Sequence, residues 1–465
     1  MNAPVLNQHA AVPDGGGAGG NDVANDVDTA FATDLCQRMQ AFVRTAILPQ
    51  ESHLATNGPD APQLRQRLYE SARQAGLWGL FYPQSMGGKL TQLAAYLPVG
   101  EAEGYSEYGP ALVGTHATLD AHMLARHAGA DLRQRYLAAL AEGSVIPAYG
   151  MSEPDSIGSI PATIRTRARL EQGQWIIDGR KWFISRAAQA SFITVVAQTG
   201  GGQEAALSMI VVPTSTPGVQ LGRALDVLGQ FGAQHEISFD QVAVPQAFML
   251  GQPGQGPALM QQRLGLGRSL RAMHWLGLAQ RCFDLMCERI VSARGITARL
   301  PEKQLVRQHV YAVHSAITSA RALLQLAAQQ IDAGQASDLA VNSAKLAASN
   351  ALSLAADRAI QIYGAEGLSY LTPLGSIYRN ARSNHILDGT DDALINAIGK
   401  RLLEQYEARR VDHAASDWPG QSGLQADLQS GQQSGPQPDL QFSHQSGQQS
   451  DPQSNQSAKQ IRSAA

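Results

Sequence analysis

The spacing of apolar residues changes twice along the chain, and this change most constrains the fold. From Phe31 to about Ala141, apolar residues recur three and four positions apart, which predicts helices. Between Val145 and about Leu250 the period falls to two, in short β-branched or aromatic runs separated by turns rich in Gly, Pro and Asp. Long helical patterns return from Gly256 to about Arg410. The sequence therefore predicts a β domain between two helical domains.

These changes predict an α+β multidomain protein with five segments. They are a disordered leader (1–30), an N-terminal helical domain (31–144), a central β-sandwich or barrel (145–252), a C-terminal four-helix bundle (253–413) and a disordered tail (414–465). The tail repeats QSGQQS and has too few apolar groups to offset the entropy of ordering it.

Composition excludes several classes of partner. The formal net charge of −3 does not predict binding to nucleic acid, and no apolar stretch approaches the roughly 18 residues of a spanning helix, so no membrane insertion is expected. The three cysteines are an odd number without close-set metal-ligand partners, which predicts reduced thiols and a cytoplasmic location. The histidines are scattered, so no metal site is predicted.

A lone carboxylate, Asp388, lies on a predicted loop between two helices. The helix before this region ends at Gly364, and Thr390 is a good N-cap for the helix that follows Asp388. The small residue Gly389 leaves room for a substrate to approach the carboxylate. By itself, an Asp-Gly-Thr before a helix more often caps that helix than acts as a base, so both roles stay open on this pattern alone.

Two further stretches suit a flavin. The Gly/Ser-rich loop from Tyr149 to Ser159 offers backbone amides and hydroxyls for a ring edge and a pyrophosphate, although a simple turn is the commoner reading of such a loop. Asp178-Gly179 predicts a hairpin turn, and the strand after it presents aromatic residues and a hydroxyl, from Trp182 to Ser185. The same aromatic side chains would also suit a sheet core.

Taken together, these stretches resemble the acyl-CoA dehydrogenase family. The family's Gln-Ile-x-Gly-Gly, Arg-Asp-Ala-Arg and Glu-Gly-Thr elements match QIYGA (361–365), RNAR (379–382) and DGT (388–390) at the family spacing. Ser152-Glu153-Pro154 is similar to its Thr-Glu-Pro loop, and 82–88 to its Pro-x-x-x-Gly-Gly segment. Asp at 388 with Glu-Pro-Asp in the earlier loop resembles the subgroup of human members ten and eleven.

The resemblance implies a role for each matching residue. Asp388 would be the catalytic base that removes the α-proton of an acyl-CoA thioester while the β-hydride passes to FAD. The implied FAD contacts are Tyr149, Met151, Ser152, Ser159, Phe183, Ile184, Ser185, Arg294, Gln361, Gly364, Ala365, Thr390 and Asp392. The implied substrate contacts are Ser159, Arg268 and Gly389. The family also implies a homodimer or homotetramer, with electron-transfer flavoprotein as the acceptor.

Two alternatives stay open at this point. One is a flavin oxidase of the same fold, such as an acyl-CoA oxidase or a nitroalkane oxidase. The other is an interaction protein that keeps the fold without flavin, which would suit the extra residue before Gly158 and Ile296-Thr297 in place of the family's Thr-Phe.

Overall fold

The computed structural model describes residues 22–56, 58–158, 160–200, 206–335 and 337–413. Its contacts divide the chain into two units, Met1–Leu402 and Leu403–Ala465, and all the candidate site residues belong to the first unit. The predicted tail, 414–465, and most of the predicted leader lie outside the described residues. No helix of the described chain is both long and apolar enough to cross a membrane.

The N-terminal part is helical, as predicted. Its first helix begins at Asp22, within the segment 1–30 that the sequence predicts as a leader. The helices are α1 (Asp22–Phe42), α2 (Glu51–Thr56), α3 (Ala61–Gln74), α4 (Leu93–Glu103), α5 (Gly109–Leu112), α6 (Thr118–His127) and α7 (Ala130–Glu142).

The central part is a single sheet of eight strands within the described chain. The strands are β1 (Pro147–Gly150), β2 (Arg167–Glu171), β3 (Gln174–Ser185), β4 (Phe192–Thr199), β5 (Ala206–Pro213), β6 (Val219–Val227), β7 (Gln230–Pro245) and β8 (Met249–Leu250). Their order is β6-β7-β3-β2-β4-β5-β8, and β1 pairs with β4. The antiparallel pattern predicted from the sequence holds for most pairs, but β1 and β2 both run parallel to β4.

The predicted hairpin turn at Asp178-Gly179 is wrong, because both residues lie inside β3. The Asp178 carboxylate accepts hydrogen bonds from Gln241 and Arg169 of neighbouring strands rather than closing a turn. A Cβ at Gly179 would lie 2.5 Å from the Thr166 hydroxyl, so the glycine allows a close approach of the backbone. The β2–β3 turn falls instead at Gln172-Gly173.

Three long helices dominate the C-terminal part: α8 (Gly256–Val291), α10 (Gln304–Asp332) and α11 (Asp338–Tyr363). They pack against one another, and α4 from the N-terminal part packs against both α8 and α10. The shorter α9 (Ala293–Thr297), α12 (Ala365–Leu368) and α13 (Leu374–Asn384) follow, and α14 (Asp391–His413) is the last helix of the described residues. The α13 helix packs against α11, which places the loop before α14 beside α8 and α11.

The buried side chains form two clusters whose limits differ from the domain limits. One cluster joins α1, α3 and α4 to α8, α10, α11 and α13. The other joins α6, α7, the sheet and the first turns of α8. Because α8 contributes to both clusters, it fixes the position of the sheet relative to the helices, and the candidate site lies along this helix.

Candidate active site

Asp388 lies in a left-handed backbone conformation, with φ of 56°. Gly389 follows at φ of 100°, so two successive residues turn the chain sharply before α14 begins at Asp391. The Thr390 hydroxyl accepts a hydrogen bond from the Ala393 amide at 3.3 Å, which confirms the predicted N-cap. The cap is therefore Thr390, and the Asp388 side chain is left for another role.

Arg268 on α8 holds the backbone of this turn. Its Nε donates to the Asp388 carbonyl oxygen at 2.9 Å, and its Nη1 donates to the Asn342 side-chain oxygen at the same distance. A Cβ at Gly389 would lie 3.3 Å from the Arg268 guanidinium, so a larger residue would crowd it. Burial lowers the pKa of Arg268, against the opposing charges of Asp388 and Asp338.

A second group, centred on Asp391, anchors the same turn from α11. Lys345, which is fully buried, donates to the Asp391 carboxylate at 2.5 Å and to the Gly389 carbonyl at 3.1 Å. Ser349 donates to the other Asp391 oxygen at 3.1 Å, and His385 Nδ1 lies 2.5 Å from that oxygen. The Ser353 hydroxyl lies 2.7 Å from His385 Nε2. Two helices therefore hold the backbone of this turn, α8 through Arg268 and α11 through Lys345.

The Asp388 carboxylate itself is only 23% exposed and contacts Arg271 on α8. Its Oδ2 atom is buried and is the oxygen that Arg271 Nε contacts in this ion pair, although the contact lacks hydrogen-bond geometry. The carboxylate is thus held by the nearby charge rather than by a directed network. A carboxylate with a free lone pair can accept a proton from a ligand.

The loop after β1 is attached to β3 by a buried ion pair. Lys181 on β3 is 0% exposed and donates to the Met151 carbonyl at 2.9 Å and to Glu153 at 2.8 Å. Glu153 also accepts hydrogen bonds from the Arg165 and Thr166 amides and from the Thr166 hydroxyl. Burial alone would raise the pKa of Glu153, but the Lys181 charge and these hydrogen bonds lower it overall. Burial lowers the pKa of Lys181 to about 8.

The same attachment brings the two predicted flavin stretches together. The Trp182 amide donates to the Ser152 carbonyl at 3.0 Å, so the loop lies along β3 beside Phe183. Phe183 has a positive φ of 52° at a register shift in β3, and its ring is 45% exposed. Ser185 is exposed, whereas Ile184 is buried in the sheet core. The Tyr149 hydroxyl is buried and, among the described residues, has no hydrogen-bond partner.

Comparison with known proteins shows matches along most of the chain. Three family models match in order: acyl-CoA dehydrogenase N-terminal domain (30–144), middle domain (148–242) and C-terminal domain (254–403). A probable acyl-CoA dehydrogenase, FadE2 of Mycobacterium tuberculosis, is 32% identical over 81% of this chain and 96% of its own length. This chain belongs to the acyl-CoA dehydrogenase family.

Two other comparisons refine the family assignment. Acyl-CoA dehydrogenase family member 11 of Rattus norvegicus is 30% identical over 81% of this chain, in agreement with the predicted subgroup. The alignment covers 51% of that protein, so the chain spans about half the length of this relative. A solved structure titled as a putative acyl-CoA dehydrogenase from Mycobacterium abscessus superposes with a TM-score of 0.73 at 29% identity, covering 81% of this chain and 99% of that one. The acyl-CoA dehydrogenase three-domain fold is confirmed.

The remaining residues implied by the family resemblance fall into a second group at the end of α11. Gly364 ends that helix with φ of 68°, which confirms the predicted helix end, and Gln361 and Ala365 are exposed beside it. Arg294 joins this group through Glu366, whose carboxylate lies 3.2 Å from Arg294 and 2.6 Å from Arg289. Asp392 is exposed on the first turn of α14, and Ser159 lies outside the described residues.

Reasoning from the sequence missed several charged residues around Asp388. These are Asp391, Lys345 and Arg271, and the buried pair Arg263 and Asp120 beside Tyr149. One signal was available for two of them: Arg263, Gly267 and Arg271 recur every four residues and so share one face of α8. Asp391 gave no such signal, because an Asp in the first turn of a helix is common for electrostatic reasons alone.

Proposed function

We propose that this protein catalyses FAD-dependent α,β-dehydrogenation of an acyl-CoA thioester, with Asp388 as the base that removes the α-proton. The observation that carries this proposal is residue Asp388: its backbone is fixed by Arg268, and by Lys345 through Gly389, while the one polar contact of its carboxylate among the described residues is the ion pair of Oδ2 with Arg271. A base must be positioned and must keep a lone pair available. Asp388 meets both conditions.

The residues of the β1 loop and of β3 fit a flavin. The exposed Phe183 ring at the strand irregularity offers a flat apolar face, and the exposed Ser185 hydroxyl lies two residues further along the strand. The backbone of Met151 and Ser152 runs along β3, and the Tyr149 hydroxyl at the start of the same loop is buried without a hydrogen-bond partner among the described residues. When bound, FAD would supply the acceptor for the hydride that leaves the β-carbon. In this proposal Ile184 supports the strand from the core rather than contacting the ring.

Arg294, Gln361, Gly364 and Ala365 are proposed to contact the FAD of a second copy of the chain. They are grouped on the surface at the end of α11, and Glu366 holds Arg294 in place. Exposed apolar side chains lie next to this group, including Leu368, Tyr370 and Leu371, of which Tyr370 is 96% exposed. Such a patch is typical of a protein interface. This patch supports the proposal of a homodimer or homotetramer.

The proposal is tested by substituting the base. Asp388→Asn keeps the shape of the side chain and removes its basicity, so flavin reduction by acyl-CoA in an anaerobic stopped-flow experiment should slow by at least about 10²–10⁴-fold. FAD content should stay unchanged. Asp357→Asn, an exposed carboxylate on α11 paired with Arg358, is the matched control and should reduce its flavin at the parental rate. Parental kinetics in Asp388→Asn would remove Asp388 from the mechanism.

Two measurements separate this proposal from the alternatives. A visible absorption spectrum of the purified protein, before and after incubation with FAD, distinguishes a flavoprotein from a flavin-free interaction protein. Oxygen consumption with substrate distinguishes an oxidase from a dehydrogenase, for which we expect slow reaction with oxygen and fast transfer of electrons to an electron-transfer flavoprotein. A colourless protein that takes up no FAD would contradict the proposal.

A further inference from the structure

Side chains from three segments form a hydrogen-bonded chain next to the Asp388 turn. The Ser353 hydroxyl, midway along α11, lies 2.7 Å from His385 Nε2, and His385 Nδ1 lies 2.5 Å from Asp391 Oδ2. His385 follows α13, and Asp391 is the first residue of α14. A hydroxyl on one ring nitrogen and a carboxylate on the other is the arrangement of a Ser-His-Asp catalytic triad.

Asp391 fixes the tautomer of the His385 ring. An ionised carboxylate only accepts hydrogen bonds, so the Nδ1 atom that faces Asp391 carries the proton. In the neutral ring Nε2 is then the acceptor, and the Ser353 hydroxyl donates to it. Inside a helix, a serine hydroxyl commonly donates to a carbonyl of the preceding turn, as Ser349 does to Leu346. The Ser353 hydroxyl is directed at a base instead.

The histidine is fixed through its backbone as well as through its ring. Its carbonyl oxygen accepts a hydrogen bond from the Asp391 amide at 2.9 Å. The Asp391 carboxylate is itself held by Lys345 and Ser349 from α11. The His385 side chain is 24% exposed and Ser353 is half-buried, so the group is not sealed inside the core. A base held in this way is preorganised to take the proton of the hydroxyl.

Exposed apolar side chains lie next to two members of this group. Ile386 follows His385 directly and is 55% exposed, and Ile395, which is 57% exposed, comes one turn after Asp391 on α14. Residues four positions apart share one side of a helix, so Ile395 lies on the Asp391 side of α14. These side chains offer apolar surface to the chain of an acyl group that reacts at Ser353.

The helical backbone limits what this group of residues can do. The α11 helix runs from Asp338 to Tyr363 without interruption, so the amides of Ser353 and Leu354 donate to carbonyls within the helix. In serine hydrolases the amide of the nucleophile helps to bind the oxyanion, and removing one oxyanion donor costs about 10²–10³ in kcat. The site therefore suits slow acylation that leaves the acyl group in place, rather than repeated hydrolysis.

We propose that Ser353 is a nucleophile that takes an acyl group from an acyl-CoA thioester and becomes an ester at Oγ. Oγ bonds to the thioester carbonyl carbon while His385 Nε2 accepts the hydroxyl proton. The carbon–sulfur bond then breaks, and CoA leaves as the thiol with that proton, so no group is oxidised or reduced. The choice of acyl donor rests on the proposed function, whereas the nucleophile rests on the contacts of Ser353 and His385.

The first test uses a probe that needs neither flavin nor CoA. The holoenzyme is incubated with a biotinylated fluorophosphonate, and the adduct is located by peptide mass spectrometry. One adduct should form, on Ser353, and none should form in Ser353→Ala. In His385→Gln it should form at least about 10²-fold more slowly, because the general base is lost. Ser349→Ala removes a hydroxyl that contacts the same carboxylate, so it is the matched control and should be labelled at the parental rate.

The second test uses acetyl-CoA labelled in the acetyl group. This thioester has no β-carbon, so it cannot undergo α,β-dehydrogenation. The label should appear as an ester on Ser353 that hydroxylamine removes, with one CoA thiol released for each ester formed. Ser353→Cys covers the case in which the alanine variant does not fold. Iodoacetamide should alkylate the introduced thiol at least about tenfold faster than in Ser353→Cys/His385→Gln.

The outcomes separate this inference from the proposed function. No label on Ser353 from either reagent would overturn the inference, as would equal labelling of His385→Gln and the parent. Labelling by the fluorophosphonate alone would overturn acyl transfer from CoA. Flavin reduction by a longer acyl-CoA is measured in the same preparation: a reduced flavin with an unlabelled Ser353 leaves only the proposed function standing, and a labelled Ser353 with an oxidised flavin leaves only the inference standing.

Discussion

Lys345 and Asp391 form a buried ion pair across the loop that carries Asp388, with 2.5 Å between Nζ and Oδ1. The lysine is 0% exposed and the aspartate 13%, so water contributes little to either charge. The same ammonium group donates to the Gly389 carbonyl, one residue after the proposed base. The pair therefore links the core of the helical bundle to the backbone of the candidate site.

Asp391→Ala should destabilise the protein by about 3–5 kcal/mol, because it leaves the Lys345 charge buried without a partner. Urea unfolding of the purified holoenzyme measures this as a lower midpoint. The double variant Lys345→Met/Asp391→Ala removes both charges and should recover part of the loss. Asp357→Ala, on the exposed face of α11, serves as the control and should change the midpoint little. A midpoint for Asp391→Ala equal to the parental value would contradict the prediction.

Asp388→Glu should lower the rate of flavin reduction although glutamate is the usual residue of the family. The extra methylene moves the carboxylate by about 1.5 Å, and a displacement of this size can cost on the order of 10²-fold in a positioned reaction. Arg268 and Gly389 restrict the backbone, so the turn cannot easily compensate. Stopped-flow reduction by the best acyl-CoA substrate measures the effect. A glutamate variant that reacts as fast as the parent would show that the site tolerates either length.

His116 should make stability fall as the pH is lowered. Burial, together with the charge of Arg186, lowers the pKa of His116 to about 3. The unfolded chain has the ordinary pKa of about 6.5, so it takes up the proton first. The contribution of the neutral His116 ring to the free energy of unfolding is therefore fully present above about pH 6.5. Below that pH it falls by about 1.4 kcal/mol per pH unit, which is about 2 kcal/mol at pH 5.

His116→Gln removes this titration, so its urea midpoint should fall less than the parental midpoint between pH 7 and pH 5. His53→Gln, on the exposed side of α2, is the control for the loss of a histidine. Identical pH dependence in His116→Gln and the parent would show that this ring does not supply the effect.

Local periodicity was enough to predict the helices and strands that have one apolar, buried face. It predicted α3 from Leu64, Leu68 and Ala72, which are all buried. It missed β6, where residues on both faces are largely exposed and the apolar alternation that identifies a strand is weak. That strand is held by its pairing with β7, a contact that no local pattern records.

The residues of the candidate site also form two groups, those with a local sequence signal and those without one. Asp388 could be identified because it lies in a stretch whose short sequence elements follow the order seen in the family. Thr390 could be identified because N-cap residues have a local sequence signature. The partners of Asp391 lie 46 and 42 residues away on α11, and Arg263 meets Asp120, 143 residues away, only through the packing of α8 against α6. Charges that depend on such long-range contacts have no signature in a single sequence.

The crossing of α4 and α8 should be intolerant of any side chain at Gly277. A Cβ there would lie 2.2 Å from the Glu101 carbonyl oxygen and 2.5 Å from the Gly104 carbonyl carbon, and both are backbone atoms that cannot rotate away. Gly277→Ala must therefore separate the two helices, at a cost of about 1–3 kcal/mol or more. Gly265 offers a matched control in the same helix, because a Cβ at that position meets no atom within 4 Å. Gly265→Ala should raise the urea midpoint, since alanine is favoured over glycine in a helix by up to about 1 kcal/mol. Opposite shifts in the two variants would locate the effect in helix packing, whereas a stabilised Gly277→Ala would mean that the helices do not cross this closely.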